Sequence, residues 1–418
     1  MPRTCVAVIG AGQAGLAVSR LLGDAGVDHA VLERGRTAQR WRATTWQSLR
    51  LLTPNWMSRL PGWSYTGPDP EGYMSAGEIA AYLDGYAAAS TAPVIECADV
   101  LSVRACGDGY RVVTTAGSWT ADAVVLATGW CNAPHVPGLA AGLDPALHQV
   151  TPDRYRSPDD LPRGGVLVVG ASATGVQLAD ELARAGRHAL VAVGRHSRLP
   201  RRYRGADIMR WLDALGVNGR TLEQMPDASR VLREPSLQLV GRPDHRDVHL
   251  AALQDLGVRT VGRLTGAAGH RIAVADDLPR SVTAADTRLR RLLARIDALR
   301  GEPRITSEPR LRPVDTTGAA GEFDLRAAGI RTVVWATGYR RSYPWLHVPV
   351  LDATGEVRHH RGATPAPGLF VVGMHWQSRR GSMTIDGVRH DAAEVVARVV
   401  GHLHHGDLHH RAGLAVAS

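Results

Sequence analysis

Three glycines near the amino end carry the clearest chemical signal in the chain. Gly10, Gly12 and Gly15 stand in Gly-x-Gly-x-x-Gly spacing, with Gln13 and Ala14 inside the run. At a strand-to-helix turn, that spacing gives a tight bend at Gly10 and close approach to a pyrophosphate at Gly12. It also lets helix pack on strand at Gly15. The free N–H groups at the helix start then face the phosphates. Glu33, about twenty residues on, is placed to accept hydrogen bonds from a ribose hydroxyl pair. Glycines alone would mark only a turn. Here a strand, the glycines, a helix, a second strand and a terminal carboxylate follow in order, and they point to dinucleotide binding.

The elements that must hold these residues are legible around them. Residues 6–9 are a short apolar strand, and Ala14, Leu16, Ala17, Leu21 and Leu22 fit one helix. Residues 30–32 form the second strand, ending on Glu33.

The same arrangement returns later. After the apolar strand 166–169 come Gly170, Ser172 and Gly175, with Thr174 inside the run, then a helix over 176–185 and a strand over 190–193. Ser172 replaces the middle glycine at little cost in room. The position matching Glu33 is Val193, and the strand runs on into Arg195, Ser197 and Arg198, with Arg201 and Arg202 beyond. A carboxylate there would repel a ribose 2′-phosphate, whereas arginine pairs with it, so the second turn favours NADP over NAD.

Each turn leads to an Ala-Thr-Gly run. Residues 100–125 read as a β-meander ending in Ala127, Thr128 and Gly129, and residues 332–339 echo it through Ala336, Thr337 and Gly338. The organisation is an internal duplication. Between them, 132–162 is a proline-rich connection, 207–262 reads as helical, and 259–261 and 271–274 read as strands. A helix over 287–299 carries Leu289, Leu292, Leu293, Ile296 and Leu299 on one face and arginines beside it; it reads as a surface helix rather than a membrane one. The tail has a strand within 367–373 and a helix over about 386–400. Its final histidines, 402, 404, 405, 409 and 410, read as a frayed end rather than a metal site.

Between the first unit and a helix over 78–89 stand Trp41, Trp46, Trp56 and Trp63. They serve either as core, in a protein with only two Phe, or as a flat-ring pocket beside the first nucleotide with Arg42, Thr53 and Asn55 as polar contacts.

At 418 residues the chain needs two or three domains, and its 44% hydrophobic content supports a sizeable core. The net charge of +9 comes from 49 basic residues that are all arginine and dispersed, which argues against nucleic-acid binding. The four cysteines, Cys5, Cys97, Cys106 and Cys131, form no C-x-x-C pair, so a dithiol centre is not expected. With no leader and no membrane-length apolar run, the expectation is a soluble cytoplasmic protein.

With these motifs placed, the chain resembles the flavin-containing (class B) flavoprotein monooxygenases, bacterial branch, over nearly its whole length. The likeness rests on both glycine turns, both Ala-Thr-Gly runs, the Thr53-Pro54-Asn55-Trp56 segment and the run from Val168 to Leu182. It implies an α/β fold with two Rossmann-like domains, for FAD and NADPH, each a parallel sheet plus β-meander, of the glutathione-reductase-like type. The expected division is an FAD domain over 1–155 and 335–418 interrupted by an NADPH domain over 160–330. Carried over, Gly10, Gly12, Gln13, Ala14, Gly15, Glu33, Arg34, Trp41, Arg42, Thr53, Asn55 and Thr128 would hold FAD. Gly170, Ser172, Thr174, Gly175, Arg195, Ser197 and Arg198 would hold NADPH. Gly129 and Gly338 would sit at the interdomain hinges, and Gly129, Thr337 and Gly338 would also contact the cofactors.

The family fingerprint F-x-G-x-x-x-H-x-x-x-Y/W is degenerate here. With Tyr155 in its last place, Thr151, Leu147 and Pro145 stand for His, Gly and Phe. The resemblance implies hydride transfer from NADPH to FAD, capture of O₂ as a flavin C4a-hydroperoxide, and its attack by an amine nitrogen or sulfur of a small molecule. Asn55 would touch the flavin edge, with Thr151 and Tyr155 on the nicotinamide side. No metal is implied. The alternatives are an NADPH-dependent flavoprotein reductase or oxidase without oxygen insertion, a Baeyer–Villiger enzyme, and a redox-sensing carrier. A homodimer is compatible with the sequence but not signalled by it.

Overall fold

Val6, Ala7 and Val8 have no exposed surface, as a strand buried on both faces must. In this computed structural model, which describes residues 2–300 and 312–416 (side chains through 405, Arg300 excepted), Arg3–Ile9 is the middle of a sheet. It pairs in parallel with His29–Leu32 on one side and Gly117–Leu126 on the other. Val94–Ile95 extends one edge, and Leu369–Val371 pairs in parallel with Gly117–Leu126. The antiparallel strands Val100–Cys106 and Gly109–Thr114 complete the expected meander. The register sets Ile9 opposite Leu32 and Leu126, and Leu126 opposite Val371. Four strand ends therefore meet at one carboxyl edge, where open α/β sheets bind ligands. The helices Gln13–Asp24 and Ile385–Val416 cover one face, burying Leu16, Leu22, Val388, Val395 and Val399.

The second sheet is wholly parallel, in the order His148–Val150, Ile330–Trp335, Gly165–Val169, Ala189–Ala192, Arg259–Val261. A three-stranded antiparallel sheet, Leu264–Ala268, Arg271–Val274 and Gly321–Asp324, is its meander. The mixed α/β fold with parallel sheets is as expected.

Several expectations move. The second sheet already claims residues 148–150 and still holds residue 335, so its strands overrun the expected 160–330 at both ends. The 207–262 stretch is mostly irregular, broken by the short helices Ile208–Ala214, Ala228–Val231 and Leu250–Asp255. Its prolines and glycines interrupt any longer helix. The arginine-bearing helix begins earlier, Leu278–Arg300, and Leu299 is exposed rather than on its buried face. The tail is helical through Val416 rather than frayed after 400. Side chains of His409 and His410 lie outside the described residues, as do Met1 and residues 301–311. Among the described residues, no helix is long and apolar enough to cross a membrane.

Candidate functional site

The first turn is shaped by two close approaches. Gly10 has φ +107°, and a Cβ there would stand 2.7 Å from the Ala127 carbonyl oxygen. A Cβ on Gly15 would overlap the Gly10 carbonyl oxygen. Gly12, the helix N-cap, has only open space beside it and no side-chain cap follows. Glu33 is buried, and its two oxygens accept from the N–H groups of Ala11 (2.8 Å) and Gly35 (3.1 Å). Each oxygen keeps a second lone pair.

This turn opens on a cavity of about 330 Å³. Of the residues expected to hold the first nucleotide, Gly10, Gly12, Gln13, Ala14, Glu33, Arg34, Trp41, Thr128 and Gly129 line it. The Thr128 hydroxyl oxygen is buried there with no partner. An orphaned polar atom and a cradle that only glycines allow fit a bound dinucleotide.

The wall also holds residues that were not singled out: Arg40, Trp130, Cys131, Asn132, Trp345 and Met383. Trp130, Cys131 and Asn132 directly follow Gly129, so the end of that strand was their signal. Burial pushes the Cys131 thiol up, which keeps it protonated. His375 packs against Trp130, ring centroids 5.0 Å apart and tilted by 37°, and touches the Met383 sulfur at 3.2 Å. Burial, reinforced by Arg380 and Arg341, lowers it to about 4, so the ring is neutral at pH 7.

Other expected residues lie elsewhere. Among the four tryptophans only Trp41 lines the cavity; Trp46 joins the second core and Trp63 packs on Tyr82 and Tyr86. Arg42 pairs with Asp84 and bonds the Thr37 carbonyl. Thr53 is half-buried outside the cavity wall. Asn55 does not line the cavity; its amide donates to the Asp69 carbonyl at 2.9 Å and accepts from Met74 N–H at 2.8 Å. Tyr155 is buried in the second core and donates to Glu181 at 3.2 Å, and the Thr151 carbonyl caps the turn leading to it. Neither lines a cavity described here.

The second turn repeats the first. Gly170 has φ +109° and its Cβ would overlap the Ala336 carbonyl oxygen; one on Gly175 would overlap that of Gly170. Ser172 and Thr174 stand at the helix start. A strap over 236–241 lies across this turn. The Gln238 side chain, fully buried, donates to the Ala171 carbonyl at 2.7 Å, and Gln177 donates to the Leu239 carbonyl at 2.8 Å. Ser197 holds the strap by donating to Ser236 and accepting from Gln238 N–H. Arg198 is buried against Asp286 at 2.9 Å, and Arg201 is wholly buried between Asp207 and the Leu52 carbonyl. Arg195 alone of the three is exposed and makes no ion pair among the described residues.

The segments that follow the two Ala-Thr-Gly runs meet. Tyr339–Arg340, after Gly338, pairs antiparallel with Ala133–Pro134, after Gly129, and Thr337 donates to the His135 carbonyl. Both chain crossings between the sheets therefore run side by side.

Residues 7–216 match the family described as pyridine nucleotide-disulphide oxidoreductase. An uncharacterized CzcO-like oxidoreductase of Geobacillus kaustophilus is 31% identical over 402 residues, covering 95% of this chain and 98% of that one. An indole-3-pyruvate monooxygenase of Oryza sativa subsp. japonica, YUCCA4, is 27% identical over 95% of this chain and 87% of its own. A flavin-containing monooxygenase structure from Stenotrophomonas maltophilia superposes with TM-score 0.66 at 21% identity, covering 96% and 100% of the two chains; it supports the fold.

Proposed function

The chain belongs to the pyridine nucleotide-disulphide oxidoreductase family, and from that premise we propose that it is an FAD- and NADPH-dependent monooxygenase that oxygenates a small molecule at an amine nitrogen or sulfur. The observation that carries the reading is the pair of matching glycine cradles, one opening on a cavity that holds an unpartnered Thr128 hydroxyl. Full-length similarity to a plant monooxygenase supports oxygen insertion over simple electron transfer.

In this account the FAD part spans 1–155 and 335–418, the NADPH part 160–330, with the boundaries adjusted to the strands. Flavin, when bound, accepts hydride and activates O₂. The rest is the work of this chain. The N–H groups of Gly12, Gln13 and Ala14 hold the diphosphate. Glu33 locks the turn through Ala11 and turns its remaining lone pairs to the ribose. Thr128 completes its hydrogen bonding with the cofactor. Trp41, Trp130 and Trp345 wall the cavity and keep water out. Arg195 pairs with the 2′-phosphate, and Gly170, Ser172 and Gly175 seat the second diphosphate. Gly129 and Gly338 carry the chain between the two parts. His375, neutral, packs behind Trp130 and Met383 and supplies no proton.

NADPH oxidation followed over amines, sulfides and ketones, with product masses, tests this. One added oxygen on an amine or sulfide supports it; ketone insertion would make it a Baeyer–Villiger enzyme. Oxidation of NADPH with no oxygenated product would leave the reductase reading.

A further inference from the structure

A second cavity, of about 300 Å³, lies between the Leu278–Arg300 helix and the segments running from 195 to 237. Its wall carries eight arginines and a single acid, Glu234. Arg198 pairs with Asp286, and Arg380 with Glu234 at 3.3 Å. Arg195, Arg220, Arg230, Arg233, Arg288 and Arg295 make no ion pair among the described residues. Arg198 is nine-tenths buried and more, and its Nε has no hydrogen-bond partner. Burial, with Arg230 and Arg195 nearby, lowers Arg288 from the usual guanidinium range; burial and Arg220 do the same to Arg295. The floor is apolar: Leu199, Leu212, Val217 and Leu289 are buried beneath the charges.

Uncompensated like charges around a concave surface concentrate anions. An apolar floor gains nothing from a fully hydrated ion but favours an apolar body. The charges also fall into two ends. Arg195 and Arg230 lie near Arg288, while Arg220 lies near Arg295, seven residues along the helix, about 10 Å away. A nucleotide 2′-phosphate at Arg195 therefore leaves the far end unmet. That far end approaches the first cavity: Arg380 lines the one and Met383 the other, on a single loop.

We infer that this cavity binds an amphipathic anion, a small apolar body with a carboxylate or phosphate head, and that it selects the molecule the enzyme oxidises. The selection rests on the monooxygenase reading; the binding does not.

Calorimetric titration of the flavin-loaded enzyme with decanoate, decyl phosphate, decanol and inorganic phosphate tests the binding. Decanoate or decyl phosphate should saturate one site, weaken with added salt, and exceed decanol and inorganic phosphate at least about ten-fold; whichever head binds tighter identifies the chemistry. The double variant Arg220→Gln/Arg295→Gln should weaken it about ten-fold or more, with the NADPH-over-NADH preference kept. Leu292→Trp, which fills the cavity and spares every arginine, should cause the same loss. Absence of saturable binding, undiminished binding by either variant, or loss of NADPH preference in the double variant overturns the inference. Saturable binding without faster oxidation of acid-bearing sulfides over neutral ones overturns the selection alone. If no sulfide or amine is oxidised at all, the monooxygenase reading fails while the heat of binding still stands.

Discussion

Gly12 takes φ −85° and ψ −173°, and Ser172 in the second turn takes −81° and −170°. Gly10 and Gly170 match within two degrees of φ, each against the alanine carbonyl of an Ala-Thr-Gly run. What differs is everything around them. The first turn opens on a cavity and is locked by Glu33; the second lies under the 236–241 strap and ends at exposed Arg195. The comparison separates two kinds of constraint. Backbone close approach permits one solution, so both copies keep it. The end of the strand after each helix is free to change charge, from Glu33 in one copy to the run into Arg195 in the other, and there the copies diverge.

The largest effects should come from closing one cradle at a time. Gly15→Val forces a side chain into the Gly10 carbonyl, a clash worth about 1–3 kcal/mol or more. The purified variant should carry little flavin. Gly175→Val, the same clash in the second copy, should keep flavin but lose reduction by NADPH. Flavin absorbance and anaerobic reduction rates check both. Equal flavin loss in the two variants would break the division of labour.

Next in size is Glu33→Gln. Its carboxylate accepts two backbone N–H groups, and bonds to a charged acceptor contribute about 1.5–3 kcal/mol each. Flavin should dissociate about ten- to a hundred-fold more readily, measured by release on dilution. Unchanged retention would make Glu33 a bystander.

Arg195→Ala should be milder, because Arg195 is exposed and screened. The NADPH-over-NADH ratio of kcat/KM should fall about ten-fold. A ratio that holds would place the phosphate against Arg230 or Arg288 instead.

The smallest effect is a pH dependence. His375 is lowered from 6.5 to about 4 in the folded chain. Below about pH 6.5 the unfolded chain binds a proton that the folded one refuses, so stability falls from there toward pH 4. Melting temperatures at pH 7 and pH 5 should differ less in His375→Phe than in the natural protein. The same drop in both would assign the acid sensitivity to other groups.

Much of this was readable in the sequence because it follows from local rules. Both turns, both meanders and the parallel strands are fixed by short-range spacing and apolar runs. What local rules leave out shares a cause. Motif position points to Asn55 and Tyr155, but their partners, Asp69, Met74 and Glu181, are set by tertiary folding. Arg198 and Arg201 looked like phosphate ligands until Asp286 and Asp207, far along the chain or across a turn, took their charge. The irregular 207–262 stretch has no period to read, and the strap it supplies over the second turn is visible only once Gln238 meets Ala171.

The central claim is that two cradles serve one oxygen-inserting reaction. Turnover under isotopically labelled dioxygen tests it most directly, with amine and sulfide substrates and NADPH counted against product. One labelled oxygen should appear in the product for each NADPH consumed by the coupled reaction. Hydrogen peroxide as the sole oxygen product with every substrate would contradict it.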